Sequence, residues 1–285
     1  MRMRQAVKRS FVVVSAMTLV AALLAHAASA QGADAATVRP SAGVRAQTFA
    51  DSWQFQLGAG VVSRPEYPGS DDNEVEIVPV IGATYGRYFL GGVPGSGSPV
   101  GLGAYLYQGS NLRVGVALGG RFSKPREESD DARLRGLGDV DATVRGGLFA
   151  SYSYSWVTVR GSLSTDVGGK DQGTLATLDI EGRYRPSEHL TISAGPGLTW
   201  ADREYTQTFF GIDAVQSARS GRPRYRADSG LDSVRFSVGA DYRLTPHWNL
   251  GARVIAARLR GNAADSPITF DKSQNTVGAF ASYRF

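Results

Sequence analysis

QNTVGAFASYRF, residues 274–285, closes the chain with an apolar side chain at every second position from Val277 to Phe285. Because successive side chains of a β-strand point to opposite sides, this alternation predicts a strand with one apolar face. A strand of about ten residues with one apolar face suits a membrane-spanning barrel. A soluble sandwich could end in such a strand too, but frayed ends rarely finish on an exposed phenylalanine, so this feature favours the barrel.

The same period of two runs through most of the sequence upstream. Between Trp53 and Val61, apolar residues alternate with glutamine and glycine, and between Leu112 and Leu118 they alternate with arginine and glycine. No amphipathic helix of convincing length and no long apolar run breaks the pattern. The 35 glycines suit a curved, closed sheet better than a helical protein. The sequence therefore predicts an all-β antiparallel fold.

Charged residues fall on only one face of these stretches, and they carry both signs. In a soluble sandwich that face would meet solvent, whereas in a transmembrane barrel the apolar face meets lipid and the polar face lines the lumen. The two signs could pair across the strands of a narrow lumen. We therefore predict a transmembrane barrel with these lumen-lining residues: Arg113, Arg145, Arg160, Arg183, Arg235, Arg243, Arg253, Asp141, Asp166, Asp179, Glu181 and Asp241.

The connections between strands differ in length in a way that predicts orientation. Short turns are expected at residues 108–111, 151–156, 185–189 and 244–248, and longer polar connections at 122–136, 167–173, 201–233 and 260–274. In such barrels the short turns face the periplasm and the long loops face outside. Aromatic residues gather beside the short turns, as in an interfacial belt. They are Tyr105, Tyr107, Tyr152, Tyr154, Trp156, Tyr184, Tyr242 and Trp248.

The number of strands depends on the stretch from Glu74 to Leu90. Taken as one strand, it gives eleven strands in total and leaves one terminus outside. Divided at TYGR (84–87), it gives about twelve strands with both termini periplasmic, and bacterial barrels have an even number. We therefore predict an up-and-down barrel of about twelve strands, with ten as the alternative.

The first thirty residues have the pattern of an export signal. Four basic residues precede the apolar run from Phe11 to Leu24, and an Ala-Ser-Ala cleavage site follows at 28–30. We expect a cleaved signal peptide at 1–30, a periplasmic segment at 31–51 and a barrel at 52–285 in the outer membrane of a Gram-negative cell. Without the signal, 27 basic residues stand against 26 acidic ones, so the composition does not indicate nucleic-acid binding.

The chain offers little for catalysis. It has no cysteine, and its two histidines beyond the signal, His189 and His247, fall in predicted periplasmic turns without shared ligand spacing. The acidic group at Asp71 and Asp72 lacks the spacing of a calcium loop. No glycine-rich phosphate loop leads from a strand into a helix. We predict no enzyme activity, and neither a catalytic residue, a cofactor nor a metal site.

Three loop segments are more specific than the strands. They are RPEYPGSDD (64–72), the segment 205–234 with YTQTFFG and SGRPRY, and LRGNAADSPIT (259–269). With the closing YRF, they resemble the MipA/OmpV family of outer-membrane proteins, in the same order from Trp53 to Phe285. Departures from the family pattern are slight, at Pro68 and at SQNT (273–276).

The resemblance implies an outer-membrane barrel without enzymatic activity of its own. Some family members are described as scaffolds that join a lytic transglycosylase to a murein synthase, so our first hypothesis is a scaffold for peptidoglycan-remodelling enzymes. The charges assigned to the lumen motivate a rival, a narrow porin-like channel or ligand-uptake barrel. A third hypothesis is surface adhesion or lipopolysaccharide contact through the arginine-rich loop between Ala201 and Ser233.

Further expectations concern the surroundings of the barrel and its first loop. The strand ending at Phe285 resembles the signal read by the barrel assembly machinery, and outer-membrane lipid and lipopolysaccharide would surround the folded chain. RPEYPGSDD is expected to form the first extracellular turn, because proline cannot donate to the ladder. In that turn, Tyr67 is expected at the outer interface, with Asp71 and Asp72 in water.

Overall fold

A computed structural model of the chain describes residues 52–93, 98, 100–121 and 123–285. The expected signal peptide and periplasmic segment lie outside the described residues. The strands are β1 (Gln54–Pro65), β2 (Asn73–Tyr85), β3 (Tyr88–Gly91), β4 (Val100–Gln108), β5 (Leu112–Gly120), β6 (Val144–Tyr154), β7 (Val157–Asp166), β8 (Thr174–Tyr184), β9 (Leu190–Ala201), β10 (Gly230–Arg243), β11 (Trp248–Leu259) and β12 (Ser273–Arg284).

The twelve strands form one closed barrel in which each strand pairs antiparallel with its sequence neighbours. β1 closes the barrel against β12, where Gly58 lies opposite Ser282. The predicted all-β up-and-down barrel of twelve strands is confirmed, and the chain does divide at TYGR, between Tyr85 and Tyr88. Each strand pairs on both sides, although β3 pairs with β2 only through Ala83, Thr84 and Tyr85.

The barrel has two different ends. The turn end carries the short turns, and both Ser52 and Phe285 lie there, since the backbone N–H of Phe285 donates to the carbonyl of Phe55. The loop end carries the longer connections, of which the one after β5 runs from Arg121 to Thr143. That connection is longer than the predicted 122–136, because the residues after Gly136 continue the loop and β6 begins only at Val144.

The outer face of the barrel is apolar. Ile77 is 80% exposed and Leu102 is 61% exposed, although both side chains are aliphatic. Exposed aromatic side chains gather near the turn end, at Trp53, Tyr85, Tyr88, Tyr107, Tyr152, Tyr154, Trp156, Tyr184 and Trp248. A closed sheet with an apolar outside, an aromatic girdle and a polar inside is the architecture of transmembrane barrels.

Tyr105 is an exception to the predicted aromatic belt. The pairing of β4 with β5 shifts register between Tyr105 and Tyr107. A bulge of this kind changes the face to which the following side chains point. Leu106 and Tyr107 are both exposed on the outside, whereas Tyr105 packs inside against Phe149, with ring centroids 5.7 Å apart. The alternation expected from the sequence therefore fails at this one site in β4.

A folded cap covers the loop end. It contains the helices α1 (Arg203–Phe210), α2 (Ala214–Ser220) and α3 (Gly261–Ala264) and a 3-10 turn at Ala132–Leu134, none of which was predicted. Among the described residues, no helix is long and apolar enough to cross a membrane. Two apolar clusters hold the cap together. One contains Val140, Phe209, Phe210, Leu259, Ala263 and Ala264, and the other contains Tyr67, Leu134, Leu137, Ile212 and Ile268.

The first loop is part of this cap. Tyr67 is 1% exposed and its hydroxyl donates to Asp131 at 3.3 Å, so the expectation that it lies at the outer interface was wrong. The reason is that the long loop after β5 folds over RPEYPGSDD and buries the ring. Gly69 adopts a φ of 94°, a left-handed conformation that favours glycine, and its carbonyl accepts the backbone N–H of Phe270 at 2.7 Å.

Candidate functional site

Glu181 of β8 holds the largest ion-pair network inside the barrel. It accepts hydrogen bonds from Arg160 of β7 at 3.0 and 3.2 Å and from Arg183 at 2.8 Å. Arg253 of β11 approaches Glu181 to 3.9 Å. Because two strands separate β8 from β11, this contact crosses the interior. Glu181 is only 6% exposed, so one buried carboxylate lies among three arginines.

Asp179 and Arg235 form a second pair across the inner face. Arg235 Nη2 lies 2.6 and 2.7 Å from the two oxygens of Asp179, and Arg235 Nη1 donates to Thr199 at 2.7 Å. The pair passes over β9 at Gly197, where a Cβ would lie 2.8 Å from Arg235 Nε. The absence of a side chain at Gly197 therefore allows β8 and β10 to interact through the lumen.

Arg145 and Asp166 organise the connection between β7 and β8 near the loop end. Arg145 donates to the carbonyls of Ser164, Gln172 and Gly173 at 2.9 to 3.0 Å. Asp166 accepts three backbone N–H groups of the same connection. Both residues thus bind backbone groups, whereas Glu181 and Asp179 form ion pairs with arginine side chains deeper in the barrel.

The remaining residues of the predicted lumen set lie nearer the ends. Arg113 lines a cavity at the turn end, and Asp241 follows Arg235 on the same face of β10. Arg243 donates to the carbonyl of Glu188 at 2.5 Å beside a short turn. Asp141 precedes β6, and its carboxylate lies 3.0 Å from Lys170 in the cap region.

Two cavities of similar size lie within the described part of the barrel, one near the turn end (the lower cavity) and one near the loop end (the upper cavity). The lower one, of about 160 Å³, is lined by Arg113, Arg160 and Asp179 beside the rings of Tyr105 and Phe149. The upper one, of about 200 Å³, lies beneath the cap. Its wall includes two arginines, an aromatic pair, one aliphatic residue and one amide: Arg121, Arg145, Tyr205, Phe209, Leu175 and Gln172.

Arg133 connects three parts of the cap. Its guanidinium hydrogen-bonds the carboxylates of both Asp71 and Asp131, and it lies 3.7 Å from the ring centre of Phe270. Hydrogen bonds from Arg133 hold the pKa of Asp71 and of Asp131 below the usual value for aspartate, with burial opposing the shift in each case. Burial raises the pKa of Tyr67 beside them. The site is therefore a charged clamp between loops.

Sequence reasoning missed the arginine at the centre of the cap. Arg126 is 2% exposed and donates to the carbonyl of Phe209 at 2.9 Å. Burial lowers its pKa, because desolvation disfavours the charged form. No local pattern marks Arg126, but Asp213 and Gln216 were detectable, since Asp-x-x-Gln is a capping-box signature and both reciprocal hydrogen bonds form at α2.

The turn end presents exposed basic side chains. Arg87, Arg185, Arg243 and Arg284 are all exposed there, and Glu188 is the exposed acidic residue of the same short turns. This excess of positive charge gives the turn end an electrostatic character that the apolar outer face lacks. An acidic protein surface would complement it.

The two histidines lie at this end as well. His189 Nδ1 lies 3.0 Å from the carbonyl of Arg243, and His247 Nδ1 lies 2.9 Å from that of Arg284. Both rings therefore bind the backbone of neighbouring turns. Among the residues that the structure describes, no group of three or more His, Asp or Glu side chains is placed to hold a metal ion.

Comparison with known proteins gives a family match over the barrel. The profile of the family described as MltA-interacting protein MipA matches residues 57–285. An MltA-interacting protein of Escherichia coli K12 is 27% identical over 237 residues, which cover 81% of this chain and 90% of that protein. The "Putative outer membrane protein YiaT" of the same strain is 26% identical over 159 residues, 55% of this chain and 63% of that protein.

Among solved structures, an outer membrane channel from Pseudomonas putida F1 is similar over 87% of this chain and 100% of the channel's own chain. It is 12% identical, with a TM-score of 0.44.

Proposed function

Because the chain belongs to the MltA-interacting protein MipA family, we propose that it is a non-catalytic outer-membrane barrel that binds a lytic transglycosylase and links it to murein synthesis. The observation that carries this proposal is the family match across residues 57–285, together with the name of the Escherichia coli relative, MltA-interacting protein.

The apolar exterior supports a location in the outer membrane. Closed barrels with this surface are the form in which β-strands cross a bilayer. Short turns at one end and long loops at the other support an orientation with the turn end in the periplasm. Lipopolysaccharide is a proposed partner of the outer face of the barrel. The barrel assembly machinery is a proposed partner during assembly, when it would read the strand ending at Phe285.

The turn end is the proposed docking surface for the enzyme. In the proposed orientation it is the periplasmic face of the barrel, and its exposed arginines include Arg185 and Arg243. We expect an acidic patch on the lytic transglycosylase to meet this surface. Such contacts accelerate association and weaken as salt is added.

Binding to immobilised barrel tests the scaffold. The barrel in lipid nanodiscs is exposed to a purified lytic transglycosylase, and saturable binding that weakens with salt is expected. The double variant Arg185→Glu, Arg243→Glu should bind about tenfold more weakly. Arg224→Glu, which changes an exposed charge in the cap, serves as the matched control and should bind like the parent. Equal binding by all three proteins, or none by the folded parent, would refute the docking surface.

A narrow channel is the second candidate function. The two internal cavities favour it, since they provide space within the lumen. The cap and the pairs around Glu181 and Asp179 oppose it, because they fill the interior. Conductance across a planar bilayer separates the candidates. The scaffold proposal predicts no discrete openings, and regular openings from the purified barrel would establish the channel.

A further inference from the structure

The upper cavity carries positive charge that no described residue of its wall balances. Arg121 and Arg145 both line it, and none of its described lining residues is acidic. The hydrogen-bond partners of Arg145 are backbone carbonyls, which are neutral. Arg145 is only 9% exposed, and a buried cation is costly unless an anion compensates it. The cavity therefore has a net positive charge without a protein counterion in contact.

Arg121 is the more available of the two cations. No hydrogen bond or ion pair joins it to another described residue, whereas Glu74 and Glu76, which act on it at longer range, both contact Arg64 at 3.0 and 2.9 Å. Desolvation lowers the pKa of Arg121, yet the side chain keeps a large accessible surface. Arg121 lines the cavity, so its guanidinium is accessible to a ligand there.

One side of the wall is apolar and aromatic, and the lining also includes the polar residues Ser98, Thr143 and Gln172. Tyr205 and Phe209 project from α1 and stack with ring centroids 4.4 Å apart, and Leu175 of β8 completes this side. The guanidinium carbon of Arg145 lies 5.9 Å from the ring centre of Tyr205. Two cations beside an apolar wall match a ligand with an anionic head and an apolar body. A volume of about 200 Å³ limits that ligand to a small molecule.

We propose that the cavity beneath the cap binds a small organic carboxylate, with its carboxylate group at Arg121 and its apolar part against Tyr205 and Phe209. Arg121 supplies the hydrogen-bond donors, since a guanidinium matches the two oxygens of a carboxylate. Arg145 supplies a second positive charge from a fixed position. This site lies at the opposite end from the proposed docking surface, and it requires no partner protein.

Calorimetry on the purified full barrel in detergent tests the site with three simple carboxylates: acetate, benzoate and phenylacetate. We expect saturable one-to-one binding of benzoate or phenylacetate, with acetate weaker. Benzamide, which is neutral, and inorganic phosphate, which lacks the apolar part, should each bind at least about tenfold more weakly than benzoate. Absence of saturable binding by all three carboxylates, or equal binding of benzamide, would overturn the proposal.

Variants locate the binding. Arg121→Gln should weaken benzoate binding at least about tenfold, because it removes a charged hydrogen bond. Arg121→Lys should retain part of the affinity. The matched control Arg224→Gln removes an exposed cap arginine and should bind benzoate like the parent. Heat-modifiable migration on a gel verifies that each variant is folded. Unchanged affinity in folded Arg121→Gln would place the ligand elsewhere and refute the assignment.

Discussion

At the scale of single residues, Glu181 is expected to stabilise the barrel. Its buried carboxylate accepts hydrogen bonds from Arg160 and Arg183 and lies near Arg253. Glu181→Gln leaves these arginines without their anion, and we expect it to lower the free energy of unfolding by about 3 kcal/mol. Urea unfolding of the barrel in detergent measures this difference.

Glu188 provides the matched control for that substitution. It lies exposed in a short turn at the turn end, so Glu188→Gln should change the free energy of unfolding by less than about 0.5 kcal/mol. If the two variants unfold alike, the network around Glu181 contributes no stability.

The Arg133 clamp makes the cap sensitive to acid. Hydrogen bonds from Arg133 lower the pKa of Asp71 and Asp131 from an ordinary value of 3.8. A carboxyl whose pKa is lower in the folded state stabilises that state above its unfolded pKa, and this contribution is lost as pH falls through the folded pKa. We therefore expect the cap to stay closed at neutral pH and to loosen below pH 3.8.

Spin labels at Ser129 and Ser273 measure the separation between the long loop and β12. The parent should show a longer or broader distance only in acid. The double variant Asp71→Asn, Asp131→Asn should show that distribution already at neutral pH, because it lacks both charges. A parent distance that stays constant through the acid range would contradict the clamp.

At the scale of elements, the seam between β1 and β12 depends on a glycine. A Cβ at Gly58 would collide with the backbone of Ala281 and Ser282. Gly58→Ala should therefore destabilise the barrel by about 1 to 3 kcal/mol through overpacking. The control is Gly161→Ala in β7, where the nearest atom to the added Cβ is 3.8 Å away. Urea unfolding should separate the two, and equal midpoints would show that the seam can adjust.

The strands were predictable from the sequence because the side chains of each strand alternate between the apolar outer face and the polar inner face of the barrel. The period of two identifies β12 without knowledge of its neighbours, and turn residues identify the division at Gly86, whose φ is 55°. Tyr105 was misplaced because a bulge inserts one residue without a sequence mark. The helices α1 and α2 were missed because they have eight and seven residues, too few for a clear helical period.

The inner site was predictable only in part. The period of two within each strand assigns Arg160, Glu181 and Arg253 to the inner face of the barrel. Their contacts depend on the closure and tilt of the whole sheet, which bring β11 within reach of β8. The cap was less predictable still, because Tyr67 and Ile268 meet only after loops from distant parts of the chain fold over one another.

At the scale of the whole molecule, the two ends of the barrel have different proposed roles. The loop end is covered by a cap with two apolar clusters, and a charged cavity lies beneath it. The turn end has short turns and exposed arginines. This division assigns enzyme binding to the turn end and small-ligand binding to the space below the cap.

Site-specific photocrosslinking in cells tests the scaffold at the turn end most directly. A photoreactive residue is placed at Glu188, which is exposed at the turn end, or at Ala218, which is exposed in the cap. The account predicts a crosslink to a lytic transglycosylase from position 188 and none from position 218. A crosslink from position 218 alone, or none from either position in a folded barrel, would contradict it.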